Sequence, residues 1–329
     1  MAGDLKELVH NVVEANSQDL WELSRFVWEH PEVAFNEVQC HGWLTDFLER
    51  RGFNVTRRYL LDTAFKAEFG APGGTEGPCV ALLCEYDALP DIGHACGHNL
   101  IAEASVGAAL AVCEAMKNHQ DIRGKVVVLG TPAEESRCGK ELLIRKGALQ
   151  GVDAALMAHP APHDIVAIGF AASQQLSLRF RGKTAHAGAW PWEGLSALDA
   201  AVAAYVNVSL LRLQLKPTNR IHGVSFLDDV VKNLPPTGGG TDCGNVSHRV
   251  PAIHPVFAVP AAKGSANHTR GFAAVANAAD SQPPTLRVAK VLALTALDLL
   301  ADAELLREAK REFAALQLPS EEELQSALS

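Results

Sequence analysis

The sequence predicts an α/β fold, a sheet flanked by helices, and two observations predict it. Strand-like apolar runs alternate with helical segments along the chain, as they do in α/β proteins. Cysteine, histidine and glutamate residues directly follow several of these runs, and α/β proteins build their sites at strand ends. A length of 329 residues allows about two domains of roughly 150 residues each.

Composition excludes several protein classes. With 48% hydrophobic and 20% charged residues, the chain is unlike disordered, collagen-like or coiled-coil proteins. A net charge of −9 without a dense basic patch argues against nucleic acid or an anionic membrane as partner, and the apolar runs are too short to span a bilayer. Seven scattered cysteines and a charged N-terminal segment without a signal-peptide pattern predict a reducing, cytoplasmic location.

The first half of the chain is predicted from its hydrophobic spacing. Apolar residues at helical intervals predict helices, and continuous apolar runs predict buried strands. The predicted helices cover residues 4–28, 37–51, 100–116 and 138–146, and the predicted strands cover 53–60, 65–69, 79–84, 125–129 and 154–157.

The second half contains a different pattern. A strand is predicted at 165–170. Strands at 174–180 and 218–224 then enclose an amphipathic helix at 195–213, and this β-α-β segment is half of a split β-α-β-β-α-β unit. A strand is predicted at 253–259, followed by helices at 283–300, 303–316 and 320–328.

A Cys-x-His pair gives the first indication of a site. Cys96 and His98 follow the strand at 79–84, and thiolate and imidazole are ligands that suit zinc. This spacing is weak when taken by itself, because a structural turn gives the same pattern and His94 could be the polar partner instead.

Two adjacent carboxylates give the second indication. Glu134 and Glu135 follow the strand at 125–129, and ionising both in a dry cleft is costly unless a cation or an acid–base role accounts for them. The alternative is a solvated first helical turn, where acidic residues favour the helix dipole. His159 and His268 also follow predicted strands or loops, and this convergence favours one site at the sheet edge.

Four motifs resemble those of a known family. They are His94-Ala-Cys-Gly-His98, Pro132-Ala-Glu-Glu135, Ala158-His159-Pro160 and Gly182-Lys-Thr-Ala-His186. Together they resemble the aminoacylase-1 and carboxypeptidase G-type metallopeptidases, family M20, in an order that extends from about Asp4 to Phe313. Cys84-Glu-Tyr-Asp-Ala-Leu-Pro and Gly240-Thr-Asp-Cys-Gly-Asn-Val-Ser247 resemble the branch that cleaves β-alanyl-lysine-type dipeptides.

The resemblance implies a zinc-peptidase-like mixed sheet, interrupted by a ferredoxin-like lid domain that also forms a homodimer. It implies a hydrolase with two divalent metal ions, Zn or Mn, and a small dipeptide substrate. Glu134 would be the general base, His186 of the lid would stabilise the oxyanion, and Asp87 would orient a ligand imidazole. The implied metal ligands are Cys96, His98, Glu135, His159 and His268, with His248 and His254 close to the last of these in sequence.

The lid departs from the family pattern. Boundaries are predicted at 1–172 for the first part of the catalytic domain, 173–224 for an incomplete β-α-β lid, and 225–329 for the second catalytic part. Two strands and a helix of the family's lid have no counterpart, which leaves a sheet edge and an apolar helix face without partners. We therefore hypothesise a metal site with reduced or absent turnover, and the truncation argues against dimerisation through the lid.

The expected function is metal-dependent hydrolysis of the amide bond in dipeptides with a basic C-terminal residue. One alternative is an N-acyl amino acid amidohydrolase, and another is a catalytically inactive metal-binding or regulatory protein. A structural zinc site formed by Cys96, His98 and His159 is a further alternative, although it leaves the adjacent glutamates without a role.

Overall fold

The computed structural model describes residues 2–71, 76–167, 178–215 and 240–316. The chain divides into two compact units: unit 1 is Met1–Gly169 with Asp242–Ser329, and unit 2 is Phe170–Thr241. Both predicted lid boundaries, at residues 173 and 224, lie outside the described residues. The predicted strand at 218–224 and the predicted helix at 320–328 lie outside them as well.

Unit 1 begins with three helices, α1 (Ala2–Ala15), α2 (Ser17–Glu29) and α3 (Val38–Arg50). The single helix predicted at 4–28 is therefore wrong, because it is interrupted at Asn16. The side-chain amide of Asn16 donates to the carbonyl oxygen of Val12 at 2.7 Å, and asparagine competes in this way with regular helical bonding. The helix predicted at 37–51 is confirmed as α3.

The remaining unit 1 elements form the predicted sheet and its helices. The strands are β1 (Asn54–Arg57), β2 (Phe65–Gly70), β3 (Cys79–Glu85), β4 (Lys125–Thr131), β5 (Ala154–Leu156), β6 (His159–Ala161), β7 (Ala252–Ile253) and β8 (Val256–Ala258). The helices are α4 (His98–Asn118), α5 (Glu134–Arg137), α6 (Gly139–Arg145), α8 (Cys243–Ser247), α9 (Arg270–Ala276), α10 (Gln282–Ala301) and α11 (Ala303–Ala315).

The main sheet has six strands in the order β1-β2-β4-β3-β5-β7. β1, β2 and β4 pair antiparallel, whereas β4, β3, β5 and β7 pair parallel, so the predicted mixed α/β sheet is confirmed. Because β3, β4 and β5 are parallel, their carboxyl ends lie at one edge, where α/β sites form.

Three strand predictions differ in detail from the described residues. The strand predicted at 253–259 is divided between β7 in the main sheet and β8, which pairs with β6. Pro255 lies at this division, and proline has no N–H to continue a ladder. In the described parts of 165–170 and 174–180, Ile165 forms only an isolated bridge with Val256 and residues 178–180 form no strand.

The core of unit 1 surrounds α4, which packs on α1, α2, α10 and β3. This helix is long and apolar enough to cross a membrane by length and composition, but 94% of its most apolar window is buried inside the protein. Every residue of β3 is also buried. This degree of burial is typical of a core helix that packs on a central strand. The loop that follows β3 therefore starts from a rigidly packed strand.

Unit 2 contains α7 (Ala197–Leu211) among its described residues. Ser196 caps this helix, because its Oγ accepts the backbone N–H of Asp199 at 3.1 Å; such caps satisfy an otherwise unpaired donor. The helix predicted at 195–213 is confirmed, with slightly shorter bounds. Within the described residues no side chain of α7 is buried.

Candidate metal centre

Gly97 allows Cys96 and His98 to lie side by side. The backbone of Gly97 has φ of 83°, and a Cβ there would lie 2.7 Å from Cγ of Pro160. Only glycine meets both conditions at low cost. The chain can therefore turn sharply at this point, and α4 begins at His98 immediately after the cysteine.

The five predicted metal ligands converge at the carboxyl edge of the sheet. Cys96 Sγ lies 3.4 Å from Nε2 of His159, and Nε2 of His268 lies 3.4 Å from Oε1 of Glu135. Among the described residues, four groups have donor atoms that all lie within 4.8 Å of one another. Three contain the predicted ligands: Cys96, His98 and His159; Cys96, Glu135 and His268; His98, Glu134 and Glu135. The fourth is Glu85, Glu134 and Asp242.

Asp87 connects two of these donors. Its Oδ1 lies 3.0 Å from Nδ1 of His98, and its Oδ2 accepts the backbone N–H of Glu135 at 3.0 Å. Since Nδ1 is taken, Nε2 of His98 is the ring nitrogen that remains for a cation, an arrangement common among metal-bound histidines. Asp87 thus contacts the ring of His98, and its role in orienting a metal-bound imidazole stays a prediction.

A strained turn presents the two adjacent glutamates. Ala133 adopts φ of 60° and ψ of 38° just before Glu134, a conformation uncommon for residues with a Cβ. The buried carboxylate of Glu37 accepts the N–H of Ala133 at 3.2 Å and the hydroxyl of Thr63 at 2.8 Å. Glu37 therefore stabilises the turn from which Glu134 and Glu135 project.

The two glutamates differ in acidity. Desolvation, together with Glu85 and Asp242, raises the pKa of Glu134 well above its usual range. Burial also favours a higher pKa for Glu135, but the neighbouring imidazoles of His268 and His98 lower it below the usual range. The surroundings thus favour the protonated form of the Glu134 carboxyl and the ionised form of the Glu135 carboxyl.

The structure distinguishes the histidines near the C-terminal part of the site. His268 is brought to the donor cluster by its backbone, which has φ of 65° and donates its N–H to Ala95 O at 2.8 Å. His254 instead lies against the ring of His159, with centroids 5.8 Å apart. His248 is exposed at the end of α8, and buried His94 is in none of the donor groups of the described residues.

Unpaired buried atoms test whether a metal suits this site. Oε1 of Glu135 and Nε2 of His98 are buried without a hydrogen-bond partner among the described residues. Buried polar atoms are costly when unpaired, and a divalent cation would satisfy both at once. The set of one thiolate, imidazoles and carboxylates is also typical of zinc-type sites, so the residues present fit divalent metal ions.

His186 belongs to unit 2, where it is exposed. Its Nδ1 accepts the backbone N–H groups of Gly188 at 3.2 Å and Ala189 at 3.0 Å. A nitrogen that accepts two hydrogen bonds carries no proton, so Nε2 carries it in the neutral ring and is a donor. This tautomer suits a residue that stabilises a developing negative charge.

Sequence reasoning missed four charged residues around the donors: Glu37, Glu85, Lys140 and Asp242. All four are buried. Glu85 had a signal, because it lies two residues before Asp87 on an extended segment and so faces the same side. Lys140 had none, since a lysine in the first turn of a short helix normally lies in solvent.

Comparison with known proteins agrees with this geometry. The family described as "Peptidase family M20/M25/M40" matches residues 81–280. The chain belongs to this family. The mouse Xaa-Arg dipeptidase is 35% identical, and the alignment covers 94% of this chain and 92% of that protein. The predicted family is confirmed, and with it the enzyme class, a peptidase or amidohydrolase.

Solved structures support the fold. A putative aminohydrolase from methicillin-resistant Staphylococcus aureus has a TM-score of 0.65 at 16% identity, over 90% of this chain and all of that one. A dinuclear metal-binding M20 peptidase from Bacillus subtilis has a TM-score of 0.52 at 17% identity, over 84% of this chain and 98% of that one. The mouse alignment has 398 positions, more than the 329 residues here, so this chain is shorter inside the aligned region.

Proposed function

We propose that this family member hydrolyses the amide bond of dipeptides with a basic C-terminal residue, with two divalent metal ions, Zn or Mn. The convergence of Cys96, His98, Glu135, His159 and His268 on one sheet edge, beside Glu134, carries the proposal. A structural zinc site would leave Glu134 without a role, whereas hydrolysis uses it. The likeness to the mouse Xaa-Arg dipeptidase supports the substrate class.

The chain's own residues divide the chemistry. Glu134, which lies within reach of the ligand candidates His98 and Glu135, accepts a proton from the attacking water and delivers it to the leaving amine, the work of a general base and acid. Asp87 holds His98 in the ligating tautomer. The Nε2–H of His186 is the proposed donor to the oxyanion. The bound cations would polarise the amide carbonyl and lower the pKa of water.

Turnover is proposed to be reduced because the lid is shortened. The support is twofold: the sequence predicts only half of a β-α-β-β-α-β unit, and the chain lacks positions that the mouse relative has within their alignment. The donors lie in unit 1. We therefore treat metal binding and turnover as separate properties of this chain. Dimerisation through the lid is expected for relatives that have the complete lid, and we do not propose it for this chain.

One experiment tests this proposal. The purified chain is loaded with Zn²⁺ or Mn²⁺, its metal content is measured by elemental analysis, and hydrolysis of β-alanyl-lysine is compared with that of an N-acetyl amino acid. We expect two metals per chain and slow cleavage that prefers β-alanyl-lysine. Preference for the N-acetyl substrate would favour the amidohydrolase alternative, and a chain that binds no metal would contradict the proposal.

A further inference from the structure

A fully buried lysine lies beside the donor cluster. The Nζ of Lys140 contacts Oε1 of Glu85 at 2.5 Å and also contacts Oδ1 of Asp242. The backbone N–H of Lys140 donates to the second oxygen of Asp242, Oδ2, at 2.9 Å. Burying an ammonium group is expensive unless it is paired, so these contacts explain how Lys140 is accommodated. Because two carboxylates, Glu85 and Asp242, share one ammonium group, this cluster has an excess of negative charge.

The second oxygen of Glu85 faces the ligand histidine. Oε2 of Glu85 lies 3.3 Å from Nε2 of His98, and both atoms are buried without a hydrogen-bond partner among the described residues. Because Asp87 occupies Nδ1 of His98, this Nε2 is the nitrogen that remains for a cation. The free oxygen of Glu85 therefore borders the same space as the ligand nitrogen.

We propose that Glu85 is a further carboxylate of the metal centre, with Oε1 held by Lys140 and Oε2 facing the cation that His98 binds. This inference rests on the proposed metal centre and adds a residue to which the motifs gave no role. Pairing with Lys140 fixes the orientation of the Glu85 carboxylate in advance, and it offsets part of the charge gathered by Glu85, Asp242 and Glu134. A preorganised carboxylate of this kind strengthens metal binding.

Asp242 provides a matched comparison. Like Glu85, it is a buried carboxylate that pairs with Lys140. Unlike Glu85, it has both oxygens engaged by Lys140, one by the ammonium and one by the backbone N–H. If Glu85 served only to neutralise Lys140, replacing either carboxylate would have the same effect on metal binding. If Glu85 faces the cation, the two replacements differ.

The test compares Zn²⁺ affinity in the full chain and in the Glu85→Gln and Asp242→Asn variants, by competition with a chromophoric chelator. Thermal unfolding of the metal-free proteins shows that each variant is folded. We expect Glu85→Gln to weaken Zn²⁺ binding about 10- to 100-fold, the range typical of groups that support a metal site. Asp242→Asn should weaken it less than about threefold, since its oxygens face Lys140.

Two further measurements keep the proposal open to refutation. The Co²⁺-substituted protein should have a visible absorption spectrum that changes in Glu85→Gln and is retained in Asp242→Asn. Should Glu85→Gln fail to fold, Glu85→Asp keeps the charge but withdraws the oxygen, and it should also weaken Zn²⁺ binding. Equal Zn²⁺ affinities in the Glu85 and Asp242 variants would overturn the inference. A parent chain that binds no Zn²⁺ would instead overturn the proposed function.

Discussion

Helices α4 and α7 show how differently the two units use apolar residues. In unit 1, α4 has nearly all of its side chains buried, and its first residue is the ligand candidate His98. In unit 2, α7 has no buried side chain within the described residues, and Leu198, Val202 and Tyr205 are more than half exposed. Unit 1 thus buries the apolar side chains of its central helix and also contains the candidate metal ligands. We therefore expect metal binding to depend on unit 1 alone, and complete catalysis to require unit 2 as well.

The largest effect is expected from a substitution in unit 1 that lowers turnover without changing metal binding. Glu134→Gln removes the general base while leaving the five predicted ligands, so hydrolysis of β-alanyl-lysine should fall about 10²- to 10⁴-fold. Bound zinc, measured by elemental analysis, should stay at the parent level. Simultaneous loss of zinc would show that Glu134 is a ligand, and the division of roles between Glu134 and Glu135 would then be wrong.

A core substitution in unit 1 should cost more stability than any single change on α7. Leu292 on α10 is fully buried, so Leu292→Ala removes packing and leaves a cavity, which costs about 2 to 5 kcal/mol. Urea unfolding followed by circular dichroism measures this change in unfolding free energy. A loss under about 1 kcal/mol would show that the core around α4 and α10 is looser than the structure indicates.

Unit 1 also contains a buried carboxyl away from the donors, and it makes stability depend on pH. Burial raises the pKa of Glu103 on α4 from 4.5 to about 8, so the native state binds a proton that the unfolded state releases. Its contribution to stability is complete below about pH 4.5 and is lost as the pH rises towards 8, by on the order of 2 to 4 kcal/mol.

The matched variant for this pH effect is Glu103→Gln, which keeps the shape and cannot ionise. Its unfolding free energy should change less between pH 5 and 8 than that of the parent chain. The unfolding free energy is measured by urea unfolding at several pH values. If it depends on pH equally in the two proteins, Glu103 is not the group responsible for the pH dependence.

The smallest effect is expected on the exposed face of α7. Val202 is 52% exposed, so Val202→Ala should change the unfolding free energy by no more than about 0.5 kcal/mol. The matched pair is Leu292→Ala in the same assay. A cost above about 1.5 kcal/mol would show that this face is covered in the folded protein, and the contrast between α4 and α7 would need revision.

Three ligand candidates were predictable because each follows a strand that is recognisable from its apolar run. Cys96, Glu135 and His159 come after β3, β4 and β5, whose parallel pairing brings their carboxyl ends together. The role of Lys140 was not predictable in this way. Its burial depends on Asp242, which is 102 residues away in sequence, and local pattern carries no information about such a distant partner.

Smaller errors have equally local causes. Hydrophobic spacing continues through Asn16, so the spacing predicted one helix, whereas the backbone of Asn16, with φ of −99° and ψ of 5°, separates α1 from α2. The strand predicted at 253–259 contains Pro255, and strands on either side of it belong to different sheets. Apolar periodicity therefore located the elements, while individual polar residues and prolines decided where they end.

The central claim is that the donors of unit 1 form a metal centre, and metal stoichiometry tests it most directly. Elemental analysis after loading and desalting should give two Zn²⁺ per parent chain. Cys96→Ser, which alters a member of two donor groups, should retain less zinc, whereas Cys138→Ser at an exposed thiol should match the parent. A parent chain without zinc, or a Cys96→Ser variant that retains both ions, would contradict the account.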